Sequence, residues 1–289
     1  MIAGEEPGGA GSVLAEIGIH VVLMLAVAFA LYPVLWVVTL ALSPSDAPEA
    51  TAIPIPTSPS LQNFVDVMST TDSEGVWLFG RQLANSLIIA FSTAIVAIAI
   101  ATPAAYAMAR FDFVGSRAST RALLATQMFP GVAAAIPLYL LLDFAHLLDT
   151  RTGLILVYAT SAVPFAIFQL RGAFEGIPKE LEEAAMVDGA SRFGAFVRVV
   201  LPAARPALAI TGLFAFMTAW NEFILAATFL TSEDMYTLPV VLQRYVGEYD
   251  AQWGLFSAGA ILVSVPVMLL FYALQKNLVG GLTAGGVKG

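Results

Sequence analysis

The chain has 289 residues, of which 58% are hydrophobic and 12% charged, with a mean hydropathy of +0.82 and a formal charge of −8. A soluble domain carries about 25% charged residues, so the composition excludes a water-soluble globular domain or a nucleic-acid binder and defines an all-α integral membrane protein. No cysteine is present, which excludes disulfides and thiolate metal sites.

Residues 1–16 contain three Glu and no Lys or Arg, unlike the basic start of a secretory signal. They read as a cytoplasmic tail, and the apolar run after them as a retained span. Uncharged runs able to cross hydrocarbon as a helix of ~20 residues fall at 17–42, 82–109, 122–142, 152–170 and 251–275. A sixth, 206–232, is interrupted only by Glu222. The interval 50–65 is also uncharged, but Pro54, Pro56 and Pro59 make it a poor helix. Helices rather than open strands follow because each must satisfy its own backbone in lipid. The expectation is one six-span domain over 17–277 between tails at 1–16 and 278–289. Pro103, Pro130, Pro137, Pro164 and Pro266 lie inside spans and predict kinks. Trp36, Trp77, Tyr158 and Trp253 fall where interfacial belts are expected.

Six spans place both termini on one side. Ten of the 13 basic residues share that side: Arg110, Arg117, Arg121, Arg171, Lys179, Arg192, Arg198, Arg205, Lys276 and Lys288; Arg81, Arg151 and Arg244 lie opposite. The positive-inside bias therefore puts both ends in the cytoplasm. Outside lie a long Pro- and Ser-rich loop, 43–81, and a second excursion, 233–250. Inside, the one substantial connection is 171–205, between the fourth and fifth spans.

That loop contains "ELEEAAMVDGASRFGAFVRVVLP", residues 180–202. Pro178 suits a first helical position, Gly189 a left-handed helix end and Ser191 an N-cap. Phe193, Phe196, Val197, Val200 and Leu201 recur at helical spacing as one apolar stripe, which Pro202 ends. The segment reads as a short helix, an elbow and a second short helix. An interfacial hairpin lying on lipid is one reading. The first helix, however, carries Glu180, Glu182, Glu183 and Asp188, and acids facing an anionic leaflet are unfavourable; docking on a protein is the better reading.

Glu183-Ala184-Ala185, three residues, Gly189, nine residues and Val199-x-Leu201-Pro202 resemble the EAA motif of ATP-binding-cassette importer permeases, with Val199 where Ile is usual. "DTRTGLILVY" (149–158), "PFAIFQLRGAF" (164–174), "AWNEFILA" (219–226) and the ending "GLTAGGVKG" (281–289) are similar to carbohydrate-importer permeases of the maltose type. The resemblance implies that Glu183, Ala184, Ala185, Gly189, Leu201 and Pro202 form the coupling helix that enters a cleft of the ATPase, with Glu183 pairing to a basic residue there. It also implies that the tail, through Thr283, Gly285, Gly286 and Lys288, reaches the ATPase dimer; its glycines suit extended backbone. The implied partners are a second permease, a homodimeric cytoplasmic ATP-binding subunit, an external solute-binding protein docking on 43–81 and 233–250, a sugar and membrane lipid. The implied location is a bacterial or archaeal plasma membrane, and the ending leans toward maltose, maltodextrin or trehalose.

Glu222 lies within the fifth apolar run beside Trp220 and Asn221, and a mid-membrane carboxylate costs about 2.5–3.5 kcal/mol on insertion scales. It faces either the translocation path, with Asn221 and Glu222 meeting sugar hydroxyls and Trp220 an apolar sugar face, or a neighbouring helix as a clamp. No G-x-x-x-x-G-K-[ST] and no H-E-x-x-H occurs, so no catalytic, metal or cofactor role is expected, ATP and Mg being held by the partner. The alternative is an ion-coupled secondary transporter using Glu222.

Overall fold

The computed structural model describes the backbone of residues 10–44, 54–56, 58–247 and 251–286, and side chains over 15–44, 54–56, 58–116, 118–247 and 251–275. The helices are α1 Ala10–Leu42, α2 Gln62–Met68, α3 Leu78–Arg110, α4 Ser116–Met128, α5 Ala135–Phe144, α6 Arg151–Glu175, α7 Lys179–Val187, α8 Arg192–Ala195, α9 Leu201–Ala203, α10 Arg205–Trp220, α11 Ile224–Phe229, α12 Leu238–Arg244 and α13 Trp253–Gly286. Short 3-10 turns at Gly131–Ala134 and Glu233–Met235 and one π-helical turn at Phe196–Val200 complete them.

The chain divides into two compact units, 1–68 with 245–262 and 69–244 with 263–289. In the first, the Asn63 amide donates to the carbonyls of Ala41 (3.1 Å) and Ser43 (2.9 Å), and the Thr39 hydroxyl donates to Pro54 O at 2.7 Å. Those bonds fasten α2 and the proline segment to the end of α1. A Cβ on Gly254 would stand 2.6 Å from Asn63 Nδ2, so a larger residue there would have to displace this bonded amide. Along most of its length α1 is exposed and apolar on every side.

The second unit is built on α3, α6 and α10, which pack against one another. Ala97, Ala101 and Ala105 of α3 and Ala162 and Ala166 of α6 are buried. Between helices in lipid the hydrophobic effect gives little, so close approach through small side chains and dispersion supplies the adhesion. Toward the α10 end the same core takes in Leu170, Phe174, Phe196 and Val200.

Among the described residues, four helices are long and apolar enough to be single spans: α1 from Ala15, α3, α6 and α13 up to Gln275. The third and fifth predicted spans are not. The run 122–142 breaks at Phe129–Pro130 into two helices bent by 90°, where Pro130 withholds a donor and Gly131 follows. The run 206–232 stops at Trp220 and resumes as α11 at Ile224, so Glu222 sits in a helix break. Pro103, Pro164 and Pro266 stay inside helices, and Pro137 lies in the first turn of α5, where a missing N–H costs nothing. The tail departs from extended backbone too: α13 runs on to Gly286. Thr283, Gly285 and Gly286 are therefore helical, while their side chains and all of Lys288 lie outside the described residues.

Candidate functional site

The loop between the fourth and fifth spans forms the hairpin expected of it. Helix α7 opens after Pro178, which stands at the cap position rather than inside the first turn. Gly189 turns left-handed at φ +91°, a conformation that glycine adopts without a Cβ penalty. Ser191 caps α8 by accepting from Gly194 N at 3.1 Å. Past that cap the chain loosens into the π turn, passes Pro202 and breaks at Ala204, so that the hairpin's second arm and α10 meet at 73°.

What ties the hairpin to the bundle is Glu182, the residue before the motif glutamate. Its side chain is buried together with that of Arg110, at 9% and 5% exposure. Arg110 Nε donates to Glu182 Oε1, the Tyr106 hydroxyl donates to Oε2 at 2.7 Å, and Arg110 Nη2 donates to Ile177 O at 2.8 Å. Both carboxylate oxygens are thus occupied, and the last turn of α3 is bonded to both ends of the 177–182 turn. Tyr106 is boxed by aromatic rings, with Phe196 at 4.3 Å and Phe174 edge-on at 6.0 Å. Arg192 of α8 lies over the Phe111 ring at 5.2 Å, a cation–π contact. The hairpin is thus joined to α3 by a buried ion pair and packed rings as well as by the chain itself.

Glu183, Ala184 and Gly189 face solvent, Ala185 is half-buried, and Leu201 and Pro202 sit half-buried at the base. The expected stripe divides. Phe196 and Val200 enter the core, whereas Phe193 is 75% and Val197 42% exposed. Leu181 and Val187, outside the predicted stripe, join that exposed apolar surface, Val187 at 87%. The outer face of the hairpin is consequently apolar in patches and edged by Glu180, Glu183 and Asp188.

At the break in the fifth span, Glu222 accepts three hydrogen bonds. Leu225 N (2.8 Å) and Ala226 N (3.0 Å) cap the start of α11, and the Tyr158 hydroxyl of α6 donates at 2.7 Å. The Tyr158 bond joins Glu222 to the neighbouring helix α6. Trp220 is buried and stacks on Phe216 at 5.4 Å, and Asn221 is exposed. Tyr158, expected in an interfacial belt, is instead turned inward to Glu222.

A polar lock closes the far end of the bundle, and the sequence reading missed it. Asn85, fully buried, donates to the carbonyls of Asp234 (2.8 Å) and Tyr236 (3.1 Å) and accepts from Arg151 Nε at 2.8 Å. Gln82 donates to Glu233 O at 3.0 Å, and Ser86 accepts from Leu238 N at 2.8 Å. Amides at i and i+3 inside an otherwise apolar helix were the available signal. Asp149 holds the same excursion: its carboxylate accepts from Ser232 Oγ, Thr231 N (2.9 Å) and Ser232 N (3.1 Å). Burial pushes this carboxyl up, but the Ser232 hydroxyl and the Thr231 and Ser232 N–H groups outweigh it and hold it below the ordinary carboxylate value.

Long apolar helices, two broken spans and a hairpin bonded to the bundle define a polytopic membrane protein. Residues 100–283 match the model of the family described as binding-protein-dependent transport system inner membrane component, and the chain belongs to that family. It is 35% identical over 267 residues to the trehalose transport system permease protein SugB of Mycobacterium tuberculosis, covering 92% of this chain and 95% of that one. It is 35% identical over 289 aligned residues to the maltose/maltodextrin transport system permease protein MalG of Yersinia pestis, covering 94% and 93%. Among solved structures, a bacterial ABC transporter involved in import of the acidic polysaccharide alginate matches in fold with TM-score 0.77 at 23% identity, over 94% of this chain and 99% of that one.

Proposed function

We propose that this chain is a permease subunit of an ATP-driven, binding-protein-dependent importer of a neutral oligosaccharide related to maltose or trehalose. It acts in a bacterial plasma membrane with both termini in the cytoplasm, beside a second permease, a homodimeric ATPase and an external solute-binding protein that docks on 43–81 and 233–250. The observation that carries this reading is the solvent-facing, acid-edged hairpin α7–α9 held on α3 by Glu182 and Arg110. Family membership and the names of the two relatives support the sugar class. ATP-driven closure of the ATPase dimer pushes the hairpin, and its rigid junction with α3 and α10 rocks the spans. Glu183 pairs with a basic residue of the ATPase, Gly189 forms the elbow, and the tail through Thr283, Gly285, Gly286 and Lys288 contributes a second contact.

An ion-coupled carrier using Glu222 is the weaker reading, because that carboxylate is already engaged by Tyr158 and by two backbone N–H groups. The two differ in a single variant. In the reconstituted complex, Glu183→Ala is expected to lower binding-protein-stimulated ATP hydrolysis and sugar uptake at least about tenfold, the loss of one charge-assisted contact, with membrane levels unchanged. Uptake by the isolated chain that is abolished by an uncoupler and indifferent to Glu183→Ala would overturn the proposal.

A further inference from the structure

The bend in the third span encloses a cavity that the coupling hairpin does not explain. It measures about 530 Å³ and is lined by α4 and α5 on one side and α6 on the other, with Gln127, Phe129, Thr160 and Ser161 among its walls. Its volume falls within the roughly 300–1,000 Å³ of small-molecule sites. Ser161 lies ten residues beyond Arg151, the first residue of α6, and therefore ~15 Å along the helix, a rise equal to about half the thickness of a hydrocarbon core.

Three features at that depth are polar and unfavourable toward lipid. Gln127, Thr160 and Ser161 are exposed, although the Thr160 hydroxyl also donates to Val157 O at 2.6 Å within its own helix. The backbone breaks at Phe129–Pro130, and irregular backbone at membrane depth is tolerated only where protein or water covers it. Pro164 has no N–H, so the Thr160 carbonyl has no donor four residues on; the next carbonyl, Ser161 O, accepts from the Gln127 amide at 3.2 Å. Among the described residues, no charged side chain lines the cavity. By contrast, the groove formed by α3, α10 and α13 around Ile95, Ile98 and Leu213 is lined by apolar residues throughout, as a lipid-filled or protein-covered groove requires.

We infer that the cavity at the bend is a water-filled segment of the translocation path, where Gln127, Thr160 and Ser161 meet the hydroxyls of a neutral sugar and Phe129 its apolar face. Neutral donors and acceptors beside an aromatic ring suit a carbohydrate and leave an ion without a counter-charge. The inference rests on the importer reading above.

The absence of cysteine makes the test direct. Gln127→Cys, Ser161→Cys and the mid-span reference Ile95→Cys are assembled with the partner subunits in membrane vesicles and exposed to a small charged methanethiosulfonate. Because the reacting species is the thiolate, which requires water, the two cavity cysteines are expected to label at least about tenfold faster than the reference. In parallel, Gln127→Leu and Ser161→Leu, which add no burial cost in lipid, are expected to lower uptake of radiolabelled maltose or trehalose at least about tenfold while binding-protein-stimulated ATPase persists. Labelling as slow as at Ile95 overturns the inference, as does fast labelling with undiminished uptake in both leucine variants. A wild-type complex that takes up none of these sugars overturns the function reading as well, and is told apart because the unmutated transporter is then inert.

Discussion

Glu182→Ala is expected to deplete the assembled permease from the membrane more severely than any substitution in the solvent-facing motif. The change leaves the Arg110 guanidinium buried beside α7 without its counter-ion and frees the Tyr106 hydroxyl. Breaking a buried pair by removing one partner costs about 3–5 kcal/mol, a large part of the 5–15 kcal/mol by which folded domains are typically stable. Glu182→Gln keeps one acceptor oxygen, enough for Arg110 Nε or the Tyr106 hydroxyl but not for both, and should lose less. Arg110→Met combined with Glu182→Leu removes both charges together and should recover much of the lost stability, since apolar replacement of a buried pair is often near neutral. Immunoblots of the membrane fraction and thermal unfolding of the detergent-solubilised complex measure these differences. Wild-type levels and melting in Glu182→Ala would show that the pair does not hold the hairpin.

The second large effect is expected at Gly189, and it should fall on coupling rather than on folding. A Cβ there meets no atom within 4 Å, while the backbone stands at φ +91°. The penalty in a substituted chain is therefore conformational, about 1–2 kcal/mol for an L-residue in left-handed backbone and more for a β-branched one. Gly189→Val should open the elbow and move the exposed face of α7 away from its partner, lowering stimulated ATP hydrolysis at least about tenfold in a complex present at normal levels. Gly189→Asn, which tolerates left-handed backbone, should retain most of the activity. Equal activity in the two variants would mean that the elbow angle is not transmitted.

The hairpin was legible because each of its signals is local. Helix 179–187, the glycine elbow and the Ser191 cap depend on residues within one or two turns, and all three are in place. The choice between Glu182 and Glu183 was not local. Adjacent helical positions differ by ~100° in direction, and only the arrival of Arg110 and Tyr106 from α3 decides which acid turns inward. The same holds for the apolar stripe, half of which the α3–α6 core takes up while the other half stays outside.

The broken spans show the limit of hydropathy. A charge-free run measures how much of the chain can sit in lipid, not whether it is one helix. In the third span the Pro130-Gly131 pair marked the break. In the fifth, the polar pair Asn221-Glu222 marked it, the glutamate capping the helix that follows rather than interrupting a continuous one. The polar lock joins α3 to residues about 150 positions later in the chain, a pairing that no window on the sequence contains. In the tail, glycine composition suggested extended chain, but α13 continues into it as far as Gly286; helix propagation from a long preceding span outweighs the roughly 1 kcal/mol cost of each glycine.

Cross-linking from a lone cysteine in α7 tests the account most directly. With a short thiol-reactive photo-cross-linker at Leu181→Cys in the native membrane, the account predicts one adduct with an ATP-hydrolysing subunit, its yield changing when nucleotide is trapped. Adducts with phospholipid alone, unchanged by nucleotide, would contradict it.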